Sequence, residues 1–261
     1  MADGGAAPPD DDHRMRRILG AMAAASAVAV LAAVTSGCGV ELDAEEVHGS
    51  RTFAHAGGQL TVRSSTGGLR ILPGEPGGVR VDHWVRGKAA GEGNASWSLK
   101  DGVLRLGADC TAVFGDCGAR YHVRVPPGVR LVVEGAEEGV ILQDVTQDAD
   151  VSSHGPIKAY GTSGRLRLNG DDGLVAGERL RSASVRVRTG AGAVRLSFAM
   201  PPSQVDVLSH DGYVRTTVPK GAYRVTAESR YGDERSEVKD VRSDRTIVAK
   251  STSGNIDVLA R

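Results

Sequence analysis

The stretch SVRVRTGAGAVRL, residues 184–196, decides the fold. Val185 and Val187 oppose Arg186 and Arg188, a glycine-rich TGAGA follows, and Val194 and Leu196 then flank Arg195. Strict period two marks a half-buried strand, so these are two short strands around a turn, each apolar on one side. The same cadence of small polar residue, glycine and alternating apolar residues returns in SSTGGLRIL (64–72), GTSGRLRLN (161–169), LSHDGYVRT (208–216) and STSGNIDVL (251–259).

From residue 128 onward the alternation persists. Leu166 and Leu168 face away from Arg165 and Arg167, Val205 and Val207 flank Asp206, and Ile256 and Val258 flank Asp257. Glycines between these runs are expected to supply the positive φ that tight turns need. Gly173, Gly192, Gly212, Gly232 and Gly254 are 19, 20, 20 and 22 residues apart, and Gly155 lies 18 before the first. A period of about twenty residues with two strands and two turns lies in the solenoid range. A single repeat cannot bury its own apolar face, so neighbours must stack over a shared core.

Composition agrees, with 35 Gly against 3 Phe, 2 Trp and 5 Tyr. Turns are plentiful, and the interior must be filled by Ala, Val, Leu and Ile. The predicted fold class is all-β: short strands stacked in a β-solenoid or β-helix-like repeat, with a less regular β region on the N-terminal side. A β-sandwich also has short strands at regular spacing. The narrow spread of the glycine intervals and the lack of long Greek-key connections favour the solenoid. STSGNIDVL, as the last turn and strand, is expected to cap the stack.

The N-terminal stretch RMRRILGAMAAASAVAVLAAVTSGCG (14–39) has Arg14, Arg16 and Arg17, an uncharged run from Ile18 to Val34, and small residues before Cys38. That is the layout of a secretory signal. Thr35, Ser36 and Gly37 before a cysteine resemble a bacterial lipobox, which makes Cys38 the lipidated first residue of the mature chain. The other reading is an uncleaved signal anchor, one span slightly shorter than the ~20 residues a bilayer wants. The leading MADGGAAPPDDDH fits neither reading and makes Met15 a candidate initiator. Residues 1–37 therefore read as signal, 38–50 as a polar tether, 51–127 as the N-terminal β region and 128–261 as the repeat region, with a seam at Pro126 and Pro127.

Three cysteines are an odd number for an exported chain. Lipidation of Cys38 leaves Cys110 and Cys117 as a pair, and an oxidising compartment permits their disulfide. The alternating flanks VLRLGA and ARYHVRV predict that it staples a hairpin tip, on which Val113 and Phe114 are exposed as a contact for a partner or tucked beneath their own loop. Metal binding is the competing use, but two cysteines lack the other ligands that zinc wants.

Several features point together to one family. Serial S-x-x-G-x-apolar-x-apolar turns, a cysteine pair before YHVRVPPG (121–128), and an ending that runs from VPKGAYRVTAESRYGD (218–233) to STSGNIDVL resemble a bacterial β-strand-repeat family of unknown function labelled “putative adhesin”. It is linked to the toastrack domains of envelope-stress systems. The resemblance spans about residues 50–261, here in an exported lipoprotein of actinobacterial type. It implies a noncatalytic role in surface interaction or envelope sensing, and the family has no agreed catalytic residues to transfer.

The chemistry-bearing candidates are sparse. TGAGAVR (189–195) begins like a dinucleotide loop, but Arg195 replaces the third glycine and no helix follows. Ser209, His210 and Asp211 are consecutive, so strand alternation points them to opposite faces and not into a triad. Asp171, Asp172 and Asp211 are the acids a glycan-active β-helix enzyme would use, and are equally ordinary turn residues. No metal or cofactor is expected.

Lys plus Arg equals Asp plus Glu at 32 each, which gives no basic excess for nucleic acid. Locally the charges separate: residues 130–158 are rich in Asp and Glu, and residues 160–200 hold seven Arg. Arg165, Arg167, Arg186, Arg188, Arg195 and Arg215 are expected outside and would form one basic face for anionic wall polymers or lipid head groups. The plainer reading is that they keep a sheet exterior soluble and guard against edge pairing. The partners expected are the membrane through the lipid on Cys38, and a cell-wall polymer or envelope protein. A third function class is an accessory subunit of a membrane signalling system.

Overall fold

The computed structural model describes residues 46–111 and 116–261, which lie in one compact unit. The strands run in chain order from β1 (Val47–Ala54), β2 (Gln59–Ser64), β3 (Gly68–Pro73), β4 (Gly78–Gly87) and β5 (Ala95–Lys100) to β6 (Val103–Ala108) and β7 (Cys117–Val125). Then follow β8 (Arg130–Glu134), β9 (Val140–Gln143), β10 (Ala149–Ser153), β11 (Ile157–Tyr160), β12 (Leu166–Gly170), β13 (Val175–Leu180) and β14 (Ser184–Thr189). The last are β15 (Val194–Phe198), β16 (Gln204–Ser209), β17 (Val214–Val218), β18 (Arg224–Ser229), β19 (Glu234–Ser236), β20 (Thr246–Ser251) and β21 (Ile256–Ala260).

The fold is a two-sheeted β-solenoid. The front sheet has the order β1-β4-β7-β3-β9-β11-β13-β15-β17-β21-β19, and the back sheet β5-β6-β2-β8-β10-β12-β14-β16-β20-β18. Each rung is one back strand, a corner and one front strand, and successive rungs pair in parallel. Side chains of equal phase therefore stack in columns. Leu131, Ala149, Leu166, Val185, Val205 and Ile247 form one buried column of the back sheet. Leu69, Val140, Ile157, Val175, Val194, Val214 and Ile256 form its counterpart in front. Full burial of each Val, Leu or Ile in these columns is worth ~1.5–3 kcal/mol.

The glycines that set the period do not provide positive φ. Gly173, Gly192, Gly212, Gly232 and Gly254 all lie outside the left-handed region. They are required by contact between rungs: a Cβ on Gly192 would stand 2.0 Å from the Gly173 carbonyl oxygen, and one on Gly212 2.1 Å from that of Gly192. Gly254 repeats the contact on Gly212 at 2.1 Å, and Gly232 on Gly254 at 2.7 Å. The serine of S-x-x-G completes the corner from inside. Ser209, Ser251 and Ser229 Oγ each accept the N–H of the glycine three residues on at 2.9 Å. Ser209 is thus consumed in folding while His210 projects outward.

STSGNIDVL does not cap the stack. β20 lies between β16 and β18, and β21 between β17 and β19, so the outermost rung is the earlier β18/β19. The physical reason lies at the edge. All three residues of β19 are exposed and polar. On the free side of β18 the Val225 N–H is taken by Asp240 Oδ1 at 2.9 Å and the Ser229 N–H by Glu234 Oε1 at 2.5 Å. Side-chain carboxylates thus occupy donors that would template another strand. The other end has the same out-of-order logic: β2/β3 sits between β6/β7 and β8/β9. Antiparallel β1, β4 and β5 close that end.

Asp82 pins β4 to β7. It is only 5% exposed, yet lies 3.1 Å from Arg80 and 2.9 Å from Arg124. Burial alone would raise its carboxyl pKa, but hydrogen bonds from Ser50 and Arg80 and the charges of Arg80 and Arg124 hold it below the ordinary value. A lowered pKa contributes stability above the unfolded value, which is lost as pH falls through the folded one. Asp82→Asn is therefore expected to cost about 1–3 kcal/mol at pH 7, and that gap should narrow as pH drops below about 4. Urea unfolding at both pH values checks this, and a pH-independent gap would count against it.

Candidate functional site

The outer faces are where this fold presents chemistry, because its interior is filled by apolar columns. On the back face, successive rungs place Asp150, Arg167, Arg186 and Asp206 in one column. The column neutralises itself. Arg186 Nε and Arg188 lie 3.0 and 2.8 Å from Asp206, Arg167 lies 3.8 Å from Asp150, and Arg165 holds Asp148 at 2.7 Å. Arg130, Arg165, Arg167, Arg186 and these aspartates line a groove of about 300 Å³. The hydrogen bond from Arg188 holds the Asp206 carboxyl below the usual range against its burial, and Arg165 does the same for Asp148. The groove is zwitterionic.

Arg195 and Arg215 stand on the opposite face of the molecule, in β15 and β17 of the front sheet. The single basic face expected from the sequence is therefore divided in two. Alternation tells which side chains point outward, and both sheets have an outside.

The front face carries a different column. Register aligns Arg70, Ile141, Lys158, Ala176, Arg195, Arg215, Asp257 and Arg235 in consecutive strands. Arg215 is held by Asp257 at 2.9 Å, and Arg235 by Glu237 at 2.7 Å. Among the described residues no carboxylate lies within ion-pair distance of Arg70, Lys158 or Arg195. Two adjoining grooves of about 240 and 270 Å³ run along this column and share Lys158. Arg70 and Lys158 were not singled out in the sequence because both lie outside the Arg-rich stretch 160–200 that suggested a basic face. The signal was present: Arg70, Lys158, Ala176, Arg195, Arg215, Arg235 and Asp257 are each the third residue after a corner glycine.

The remaining candidates have defined places. Asp171, Asp172 and Asp211 lie at exposed glycine corners, two rungs apart, and not in a common groove. Asp211 accepts a hydrogen bond from Ser253 at 2.9 Å and lies 2.9 Å from His210 Nδ1; these partners hold its carboxyl below the usual range. Cys110 and Cys117 are disulfide-bonded with Cα atoms 5.6 Å apart. The bond does not staple a hairpin. β6 belongs to the back sheet and β7 to the front, so it closes a corner between sheets. A hairpin and a rung have the same alternation, and only long-range pairing separates them. Closing so short a ring is worth about 2.5 kcal/mol in the chain-entropy treatment. Cys38, Val113 and Phe114 lie outside the described residues. Among the described residues no helix is long and apolar enough to cross a membrane, and no group of three or more His, Cys, Asp or Glu could hold a metal ion.

No protein-family model matches this chain, and no curated protein is significantly similar to it in sequence. Its backbone is similar to solved bacterial structures. A “putative adhesin” from Bacteroides fragilis superposes with a TM-score of 0.51 at 12% identity, covering 85% of this chain and 100% of that one. A “putative adhesin” from Parabacteroides distasonis gives 0.46 at 8% identity, with 84% and 98% coverage. A “putative cell adhesion protein” from Clostridium sporogenes gives 0.33 at 10%, with 82% and 100% coverage. At these identities the likeness concerns fold alone, and the Bacteroides fragilis protein carries it: the chain shares that protein's β-solenoid architecture.

Proposed function

We propose that this chain is an exported envelope lipoprotein whose β-solenoid is a noncatalytic interaction module, working through its outer faces in surface adhesion or envelope sensing. One observation carries the reading. The three aspartates that line the back-face groove, Asp148, Asp150 and Asp206, are each held by an arginine of the neighbouring strand or of the corner beside it, so the groove's acids are tied up in ion pairs of the sheet exterior. The long exteriors of both sheets are left for binding. The names of the fold relatives are in keeping with adhesion, and no cofactor is required. In the proposed organisation a signal (1–37) is removed, lipidated Cys38 anchors a short tether to the outer face of the cell membrane, and the β regions follow. An envelope protein is a second partner, which Phe114 would contact.

Metabolic labelling with a fatty acid tests the anchor. Wild type is expected to take up label and fractionate with membranes, and Cys38→Ala is expected to lose the label and be released or mislocalised. A Cys38→Ala chain that stays membrane-bound would replace the lipoprotein reading with an uncleaved anchor.

A further inference from the structure

We infer that the front face binds an extended acidic polysaccharide in which charged and neutral sugars alternate, laid along the stack axis over Arg70, Lys158 and Arg195. The inference rests on the reading that the outer faces are the binding surfaces. Its starting point is the contrast between two columns built by the same repeat. On the back face Asp150 and Asp206 bracket Arg167 and Arg186, and every cation of the column has its own acid. On the front face the residues between cations are Ile141 and Ala176, which offer no charge to neutralise them.

The spacing selects the ligand. Neighbouring strands are ~4.8 Å apart, so Arg70, Lys158 and Arg195, each two strands from the next, recur about every 10 Å. One sugar unit of an extended pyranose chain, ring plus glycosidic linkage, advances the chain by about one strand spacing, so a chain with one carboxylate per disaccharide places its charges at the cation pitch. The intervening neutral sugars then lie over Ile141 and Ala176. Leu174 and Pro156, which line the same two grooves, add apolar surface for the sugar faces. These three cations stand in single file: the neighbouring column holds Gln143, Tyr160 and Glu178, and the flanking cations on β7, Arg120 and Arg124, are held by Glu46 at 2.8 Å and Asp82 at 2.9 Å. Glu138 and Glu178 edge the grooves and disfavour a broad anionic surface beside the file. A line of charge with acidic shoulders fits one linear chain and not the plane of a bilayer. Attraction between exposed charges is screened by salt, so binding should be salt-dependent.

The test uses the full chain in detergent with fluorescent hyaluronan oligosaccharides, which alternate glucuronate and N-acetylglucosamine. Parallel arms use poly(glycerol phosphate) and phosphatidylglycerol vesicles. Saturable hyaluronan binding that weakens with salt is expected. Binding should weaken roughly tenfold in the Arg70→Gln, Lys158→Gln, Arg195→Gln triple variant and be unchanged in the back-face Arg165→Gln, Arg186→Gln pair. Circular dichroism and melting must show the triple variant folded; should it fail, the three single variants are used, each expected to weaken binding severalfold. No saturable binding to hyaluronan, an unchanged folded variant, or equal affinity for the phosphate polymer or the vesicles overturns the inference. Loss of binding in the back-face pair alone overturns it too, but leaves outer-face binding standing. The Cys38 experiment is independent of every one of these outcomes.

Discussion

Gly212→Ala is expected to destabilise the protein by about 3 kcal/mol, a fall of roughly 6–12 °C in melting temperature for a chain of this size. The new Cβ would stand 2.1 Å from the Gly192 carbonyl oxygen and 2.9 Å from Ser209 Oγ. Relief by backbone movement is blocked from both sides, since Gly192 rests on Gly173 and Gly254 rests on Gly212 with equally short approaches. Raising one corner would lift the whole file. Gly68→Ala is the control, because a Cβ there meets nothing within 4 Å and its φ is not in the left-handed region. It should change stability by no more than about 0.5 kcal/mol. Calorimetry on the two variants decides the matter, and equal effects would mean that backbone contact is not why these corners are glycine.

Removing residues 251–261 is expected to be more damaging than removing a cap. The deletion takes out β21 and leaves β17 and β19 without the strand that joins them. Ile256 and Val258, both fully buried, together account for roughly 3–6 kcal/mol of apolar burial. That is a large share of the ~5–15 kcal/mol that holds a typical domain. Val214 and Val218 in β17 lose their cover, and β19 loses the strand it pairs with. Limited proteolysis of the truncated chain should therefore cut within 224–236 as well as near the new terminus, and the protein should aggregate. A soluble truncated chain that resists protease and melts with wild type would contradict the interleaved order of rungs.

Much of this was written locally. The alternation at Val185–Arg188 and Val194–Leu196 fixes which side chains go inward, and the glycine interval fixes the length of a rung. Both follow from the two-residue period of a strand and from the need of each rung to bury its face against the next. The cysteine pair could be read for the same reason, since Cys110 and Cys117 are close along the chain. The arginines were only half legible. Their outward direction follows from alternation, but Arg195 and Arg186 point away from opposite sheets, and nothing in a two-residue period names the sheet.

The sequence by itself determined an all-β chain, its repeat and the inward or outward side of nearly every strand residue, because these depend on neighbours a few positions away. Only the tertiary structure decided the order of the rungs, the sheet to which each strand belongs, and which cations find an acid. Those depend on pairings between residues far apart in the chain, 17 positions for Arg165 with Asp148, 44 for Tyr213 with Asp257 and 71 for Leu69 with Val140. The insertion of β20/β21 beneath an earlier rung is of the same kind: edge strands need polar, blunted partners, and β18/β19 with Glu234 and Asp240 meets that need wherever it falls in the chain.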